Sequence, residues 1–328
     1  MIIDVAGFLV CALLITFSGT QLSKQGNRLS ELTGLSKAWI GLVLMATVTS
    51  LPELVTGLSS VIVVNSPDLA TGNILGSCAF NLTILSILDL MVKKPITSLV
   101  KTSHVLAGAF GIILLAFAAV AIILVPVTPS ILWFSPFSLI IIFAYLAAMR
   151  SLFFYDRANP SGADIKDNVA SADTRSLKRV VSIYSIHAVI VVSAALFLPY
   201  FGEGIAQRTG LSDSFFGTVF LAITTSLPEL VVSISALRMG SLDMAMGNLL
   251  GSNVFNIAIL SMIDFFYTAG PIYVAISNTH LLSILAIIMM TAVVAVGLVV
   301  RPDRKRWRLS IDTWVILLIY LLTILLLK

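Results

Sequence analysis

Charge is scarce in this chain. Only 11% of its 328 residues are Asp, Glu, Lys or Arg, against about 25% in soluble globular domains, while 58% are hydrophobic and the mean hydropathy is +1.05. An ordinary soluble domain is excluded. Cysteine is nearly missing as well: Cys11 and Cys78 both fall in apolar runs, where packing as small residues accounts for them and a disulfide framework has no basis. With three histidines in all, there is no His/Cys set for a catalytic metal, no nucleophile–base pair and no Walker A segment, so neither an enzyme nor an ATP-driven machine is expected. The apolar runs do not alternate with the period of two that outer-membrane strands require, which excludes a β-barrel.

What is present in quantity is uninterrupted hydrophobic sequence. Ten runs approach or reach the roughly 20 residues that a membrane-spanning helix needs: about 3–23, 37–64, 68–92, 102–125, 131–154, 178–202, 212–238, 242–267, 279–300 and 309–327. The expectation is an all-α polytopic membrane protein with ten transmembrane helices. The isoelectric point of about 9.1 and formal charge of +4 reflect topology rather than an acidic partner, so no nucleic acid or nucleotide is expected. Lys24, Arg28 and Lys37 lie between spans 1 and 2, Lys93, Lys94 and Lys101 between 3 and 4, and Arg150, Arg157, Lys166, Arg175, Lys178 and Arg179 between 5 and 6. Arg238 follows span 7, and Arg301, Arg304, Lys305, Arg306 and Arg308 follow span 9, whereas the opposite side holds only Arg208 and Lys328. The positive-inside rule then puts both termini outside, in the cytoplasmic membrane. The first span lacks a basic n-region and is read as a retained helix.

The sequence states its central motif twice. Met45 to Val61 reads MATVTSLPELVTGLSSV and Leu221 to Leu237 reads LAITTSLPELVVSISAL; PDLATGNILGSCAFNLTILSILD from Pro67 is answered by LDMAMGNLLGSNVFNIAILSMID from Leu242. Matched positions stand 175 or 176 residues apart: Gly41 with Gly217, Glu53 with Glu229, Asn73 with Asn248, Asn81 with Asn256, Asp89 with Asp264, His104 with His280. Five helices separate equivalent elements, an odd number, so the second copy enters the membrane from the opposite face. The fold expected is two inverted five-helix repeats, 1–154 and 178–328, joined by a polar cytoplasmic linker, 155–177, too short and too polar to be a domain.

Each copy buries one glutamate, Glu53 or Glu229, in apolar sequence with no Lys or Arg in the middle of any span, and an intramembrane carboxylate marks an ion or substrate path by default. Pro52 and Pro228 remove an amide donor deep in a span and must distort the helix, which should free carbonyls around Ala46 to Thr49 and Ala222 to Thr225. Thr49 and Glu53, like Thr225 and Glu229, are four apart and share a helical face. The following span carries Asn73, Ser77 and Asn81, mirrored by Asn248, Ser252 and Asn256, with Gly72 and Gly76, or Gly247 and Gly251, alongside as a small-xxx-small packing seam. No histidine or thiolate occupies a position repeated in both motifs. Carboxylates, hydroxyls, amides and carbonyls are hard donors that suit Ca²⁺ far better than Zn²⁺ or Cu⁺. Two glutamates balance one Ca²⁺, two monovalent cations or two protons, and mutual exclusion among these is a basis for exchange.

The paired TSLPE and GNxxGSxxxN segments resemble the α-repeats of the calcium/cation antiporter superfamily, in its sodium/calcium exchanger branch and compact prokaryotic form. The resemblance implies Ca²⁺/Na⁺ antiport with Ca²⁺ extrusion, without a cofactor, with Ca²⁺ and Na⁺ as the transported ions and, in a rival reading, H⁺ replacing Na⁺. It implies Glu53 and Glu229 as central ligands. Thr49, Ser50, Thr225 and Ser226 and the carbonyls of Ala46 and Ala222 would add oxygens, Ser77 and Ser252 would line Na⁺ positions, and Asn81 and Asn256 would hold the middle. Sliding of the first and sixth helices against the other eight is implied too. The chain departs from the pattern at Val48 and Thr224, at Cys78 where asparagine is usual, and at Asn256, aspartate in some exchangers; amides in both copies argue against K⁺ co-transport. A passive cation channel is disfavoured, because two inverted broken helices describe a gated midplane site.

Other polar residues have plainer readings. Asp68 and Asp243 read as helix N-caps, Asp89 and Asp264 as solvated span ends, His104 and His280 as interfacial residues rather than pH sensors. Asn73 and Asn248 are either ligands or hydrogen-bond bridges between helices. Asp156, Asp164, Asp167 and Asp173 lack the spacing of an EF-hand loop and belong to the solvated linker. The partners expected are inorganic cations and membrane lipid, with no obligatory protein partner.

Overall fold

The computed structural model describes residues 2–125, 130–158, 174–209, 221–305 and 307–327. Gly217, Lys166, Arg306, Lys328, the aspartates at 164, 167 and 173, most of the expected linker and the start of the seventh span lie outside the described residues. Among those described the protein is all helical, the one departure being an isolated bridge between Ile131 and Phe134. The helices are α1 (Ile2–Thr33), α2 (Lys37–Ile62), α3 (Pro67–Met91), the short α4 (Ile96–Leu99), α5 (His104–Leu124), α6 (Pro136–Ala158) and α7 (Thr174–Thr209). They continue as α8 (Leu221–Thr225), α9 (Leu227–Arg238), α10 (Leu242–Phe266), the short α11 (Ile272–Ala275), α12 (His280–Val300) and α13 (Ile311–Leu326). Among the described residues the expected spans are largely helical, as apolar sequence in lipid demands, because a helix satisfies its own backbone there.

Eight of these helices are long and apolar enough to cross a membrane. The expected count of ten is therefore matched at eight places. The other two fall short for separate reasons: α8 and α9 follow the undescribed 210–220, and α13 has 16 residues, about 24 Å at 1.5 Å per residue against a hydrocarbon core of about 30 Å.

The polar motif helices occupy the centre. In α10, 83% of the apolar stretch is buried and in α3 67%, against 22% in α1 and α6, so α3 and α10 form the axis and α1 and α6 face outward. Large apolar side chains exposed on α1 (Leu9, Leu13, Phe17), α6 (Phe143, Leu146) and α13 (Leu318, Leu321, Leu325) fit a lipid environment, since water would make such surface an aggregation hazard. Outside the main core, α1 and α7 share a small cluster of their own: Cys11, Ile15, Ala194, Ala195 and Leu198.

Four aspartates organise the ends, and here the plain readings fail. Asp89 and Asp264 are fully buried rather than solvated. Asp89 accepts from the backbone N–H groups of Ile96 (2.8 Å) and Ser310 (2.8 Å) and the hydroxyl of Thr313 (3.1 Å), and pairs with Lys305 at 3.1 Å. Asp264 accepts from the N–H groups of Ile272 (2.6 Å) and Ser135 (2.7 Å) and the hydroxyl of Ser138 (2.6 Å). Each chain reversal after a motif helix would otherwise bury free amides, and each aspartate satisfies two of them. Asp68 and Asp243 are not N-caps either, since Ser66 and Ser241 hold the cap positions of α3 and α10. Asp68 instead takes the N–H of Ser277 (2.7 Å) and meets His280 Nε2 (3.0 Å), while Asp243 takes the N–H of Lys101 (2.7 Å) and meets His104 Nε2 (3.1 Å). His104 and His280 are thereby tied to the opposite half of the sequence.

Candidate cation site

Two broken helices build the site. In α2 a π-helical segment, Ile40–Met45, leads through Ala46–Thr49 to Ser50, where the backbone turns (φ −90°, ψ 3°) before the helix resumes at Leu51 with Pro52 in its first turn. In the second copy Ser226 takes the same conformation (φ −86°, ψ 9°) between α8 and α9, with Pro228 following. Proline causes both breaks, because it brings no N–H to the preceding turn and its ring crowds the carbonyl four residues back. The carbonyls of Ala46 and Ala222 are not stripped of donors by the break. Ala46 O accepts the Ser50 N–H at 3.0 Å and lies 3.4 Å from the Thr49 hydroxyl, and Ala222 O accepts the Ser226 N–H at 3.1 Å and lies 3.3 Å from the Thr225 hydroxyl.

Both glutamates sit in the first turn of the resumed helix, where the positive end of the helix dipole favours negative charge. They are fully buried, as are Thr49, Ser50, Asn73, Ser77, Asn81, Thr225, Ser226, Asn248, Ser252 and Asn256. All twelve converge where α2, α8 and α9 meet α3 and α10.

The hydroxyls are exchanged between the repeats. Ser50 donates to Glu229 Oε1 at 3.2 Å, and Ser226 donates to Glu53 Oε1 at 3.3 Å. Thr49 and Ser50 surround the carboxyl of Glu229, and Thr225 and Ser226, with Ser77, surround that of Glu53. Thr49 and Glu53 therefore do not work as one face of one helix: the turn at Ser50 swings the Thr-Ser pair toward the other copy's glutamate. Thr49 also donates to Asn248 Oδ1 (3.3 Å) and Thr225 to Asn73 Oδ1 (3.2 Å). Thr49 lies 3.4 Å from the hydroxyl of Ser252, as Thr225 lies 3.3 Å from that of Ser77.

Asn248 behaves as a bridge, its Nδ2 donating to Glu229 O (3.4 Å) and to Ser233 Oγ (3.0 Å). Ser252 reaches Glu229 Oε1 at 3.4 Å, and Asn81 donates to Asn253 Oδ1 at 3.2 Å. Among the described residues no partner meets Oε2 of Glu53, Oε2 of Glu229, Oδ1 of Asn81 or either polar atom of Asn256. Buried oxygens without donors cost several kcal/mol each, roughly 1–3 for a neutral group and more for a charged one. A cation held between them removes that penalty, and carboxylate, hydroxyl and carboxamide oxygens match a hard ion.

The glycine seam is real where it is described. A Cβ on Gly251 would run into the backbone of Leu42, one on Gly247 into the carbonyl of Ala38, and one on Gly41 into that of Met244. The π-helical segment of α2 thus lies directly on α10. The segment that would oppose Gly72 and Gly76 by the same symmetry, 214–218, lies outside the described residues. Sequence reasoning missed Ser233 and the pairing of Cys78 with α10 and gave the four aspartates the wrong roles; a matched spacing of 175 at Asp68, Asp89 and Asn253 was the available signal.

The profile of the family described as sodium/calcium exchanger protein matches the chain twice, over residues 3–152 and 179–328. The chain belongs to that family. The exchanger-family protein is 28% identical over 280 residues to the inner membrane protein YrbG of Escherichia coli K12, covering 83% of this chain and 82% of the relative. It is 35% identical over 123 residues to the sodium/calcium exchanger MaX1 of Methanosarcina acetivorans, covering 37% of this chain and 33% of that one. Its fold is that of the sodium-calcium exchanger NCX_Mj, with a TM-score of 0.76 at 20% identity over 100% of this chain and 99% of the other. It is accordingly a membrane-embedded exchanger of inorganic cations, in a family of transporters rather than enzymes.

Proposed function

We propose that this protein exchanges Ca²⁺ for Na⁺ across the plasma membrane by alternating access, Na⁺ entry driving Ca²⁺ extrusion, through one site between two inverted five-helix repeats. The observation that carries the reading is the pair of first-turn glutamates, each fully buried, each receiving its serine from the other repeat and each with Oε2 unpartnered. Glu53 and Glu229 are the central ligands. Thr49, Ser50, Thr225 and Ser226, with the Ala46 and Ala222 carbonyls, complete a Ca²⁺ shell of six to eight oxygens. Ser77 and Ser252 line the Na⁺ positions, and Asn81 and Asn256 the centre. Two negative charges balance Ca²⁺ or two Na⁺, so loading one ion excludes the other. No cofactor takes part.

The repeats are 1–154 and 178–328, joined by 155–177 on the cytoplasmic side, with ten spans and both termini outside. The two separate matches to one family profile support this division, as do the paired contacts Ser50–Glu229 with Ser226–Glu53 and Asp68–His280 with Asp243–His104. Access switches by sliding of α1 and α7 over the rest. The apolar cluster they share, against which Leu227 and Val231 of α9 pack, supports this, as does a hydroxyl-rich contact of α1 with α9, in which Ser23 donates to Val232 O at 2.9 Å and Thr20 lies 3.0 Å from Ser235.

The test is ⁴⁵Ca²⁺ uptake into proteoliposomes under an outward Na⁺ gradient, an outward H⁺ gradient or neither, with K⁺ varied at fixed Na⁺. Uptake driven by Na⁺ and indifferent to K⁺ is expected. Uptake driven by H⁺ alone would transfer the same glutamates to Ca²⁺/H⁺ exchange, and conductive uptake without a gradient would replace the exchanger with a channel.

A further inference from the structure

Two loops, one in each half of the chain, share a backbone design and differ in chemistry: residues 130–135 lead into α6, and residues 305–310 lead into α13. At the repeat spacing of 175, Ser135 stands for Ser310. Their N–H groups anchor the loops alike, donating to Asp264 Oδ2 at 2.7 Å and to Asp89 Oδ2 at 2.8 Å. Leu132 likewise stands for Trp307, and both occupy the left-handed region, at φ 57° and 68°. A large side chain is strained there, so the anchored ends must hold it in place. What the strain maintains is an apolar side chain left outside the protein: Leu132 is 76% exposed and Trp307 87%.

Around that common frame the chemistry parts. Leu132 stands between Ile131 and Trp133, with no charge from Ser130 to Ser135. Trp307 stands beside cations: Arg304 and Arg308 are both exposed, and Asp303 is the one acid between 301 and 310. Lys305 is turned inward, its Nζ pairing with Asp89 Oδ1 at 3.1 Å and donating to Val92 O at 2.8 Å. That tie adds a second exposed basic pair, Lys93 and Lys94, which follow Val92 directly. The loop also has a fixed depth. α13 begins at Ile311 and has 16 residues, fewer than the hydrocarbon core requires, so the residues before it cannot stand clear of the headgroups. Exposed Ile311 and Trp314 carry the apolar surface on into α13.

An excess of basic residues on one side accounts for orientation in the membrane, but not for a tryptophan held out beside two exposed arginines. Tryptophan settles at the headgroup level of a bilayer, and guanidinium groups pair with phosphate oxygens. We infer that Trp307, Arg304 and Arg308, with Lys93 and Lys94, form a binding site for anionic phospholipid, the indole seated at the headgroup boundary and the cations on the phosphates. That this face is the cytoplasmic one rests on the proposed topology.

The test places the full-length protein in nanodiscs of phosphatidylcholine with increasing phosphatidylglycerol, one or the other lipid carrying bromine on its acyl chains near the headgroup, and reads quenching of tryptophan fluorescence. Trp307→Phe identifies the share of the signal that belongs to Trp307. At equal fractions, brominated phosphatidylglycerol is expected to quench that share more than brominated phosphatidylcholine. The double variant Arg304→Gln/Arg308→Gln should raise the phosphatidylglycerol fraction for half-quenching about tenfold. High salt should remove the preference from wild type without any substitution, which keeps the inference testable if the double variant does not fold. Equal quenching by the two lipids, or a preference that survives both the double substitution and high salt, overturns it. Sidedness is read separately in intact cells with Asp303→Cys and a membrane-impermeant maleimide, both native cysteines being buried; labelling only after lysis is expected. Labelling from outside with the lipid preference intact supports the lipid site and overturns the topology. Labelling only after lysis with no lipid preference overturns the lipid site and leaves the topology standing.

Discussion

Replacing Asp264 by asparagine changes one oxygen to an NH₂ group and leaves size and shape almost untouched, yet it should be among the most destabilising single changes outside the cation site. Oδ1 of Asp264 accepts the N–H of Ile272 at 2.6 Å; Oδ2 accepts the N–H of Ser135 at 2.7 Å and the hydroxyl of Ser138 at 2.6 Å. Both oxygens are therefore committed to backbone donors in a fully buried position. Whichever way the carboxamide turns, its NH₂ faces an N–H that cannot rotate away. One buried amide loses its acceptor, at about 1–3 kcal/mol, and the surviving bond loses the benefit of a charged acceptor, about a further 1 kcal/mol. Ser138→Ala removes a single donor and leaves both backbone amides satisfied, so it should cost about 1–2 kcal/mol. SDS-titration unfolding of the detergent-solubilised protein, followed by tryptophan fluorescence, compares the two variants with wild type. Asp264→Asn is expected to cost about 2–4 kcal/mol and to exceed Ser138→Ala clearly. If the asparagine variant were as stable as Ser138→Ala or more so, Asp264 would not be satisfying the amides that the geometry assigns to it.

Three further outcomes bear on the site. Glu53→Gln or Glu229→Gln should abolish Na⁺-driven ⁴⁵Ca²⁺ uptake while the protein still inserts and elutes as a single species; substantial flux in both single variants removes the two glutamates from the centre of the mechanism. In double-mutant cycles on Ca²⁺ binding, Ser50→Ala should couple to Glu229→Asp by about 1.5–3 kcal/mol, the worth of a hydrogen bond to a charged group, and more weakly to Glu53→Asp. The reverse order would mean that each serine serves its own repeat. Gly251→Ala should cost about 1–3 kcal/mol in the same unfolding assay by forcing α10 away from the backbone of Leu42, against which the new methyl collides; a neutral change would show that the π-helical segment is not in close contact there.

Much of this molecule was readable in one dimension because the physics behind it is local. Scarce charge and runs of about 20 apolar residues demand helices in lipid, and eight of the ten expected spans coincide with helices long and apolar enough to cross a membrane, α13 being short at 16 residues and the start of the seventh span lying outside the described residues. A proline inside a span breaks its helix wherever it stands, so Pro52 and Pro228 located both interruptions. Two copies of one motif at a constant offset picked out the residues that gather at the centre. What the chain could not disclose is how the copies interlock. Thr49 and Glu53 look like one helical face at four-residue spacing, but the turn at Ser50 hands Thr49 and Ser50 to Glu229. Likewise Asp89 and Asp264 look like solvated ends until the returning segments at 310 and 135 are seen to bring their amides to them. Composition and periodicity determined the solvent, the element type and the residues of interest, since each depends on neighbours along the chain. The pairing of donors with acceptors depends on which helices touch, and only the tertiary structure decided that.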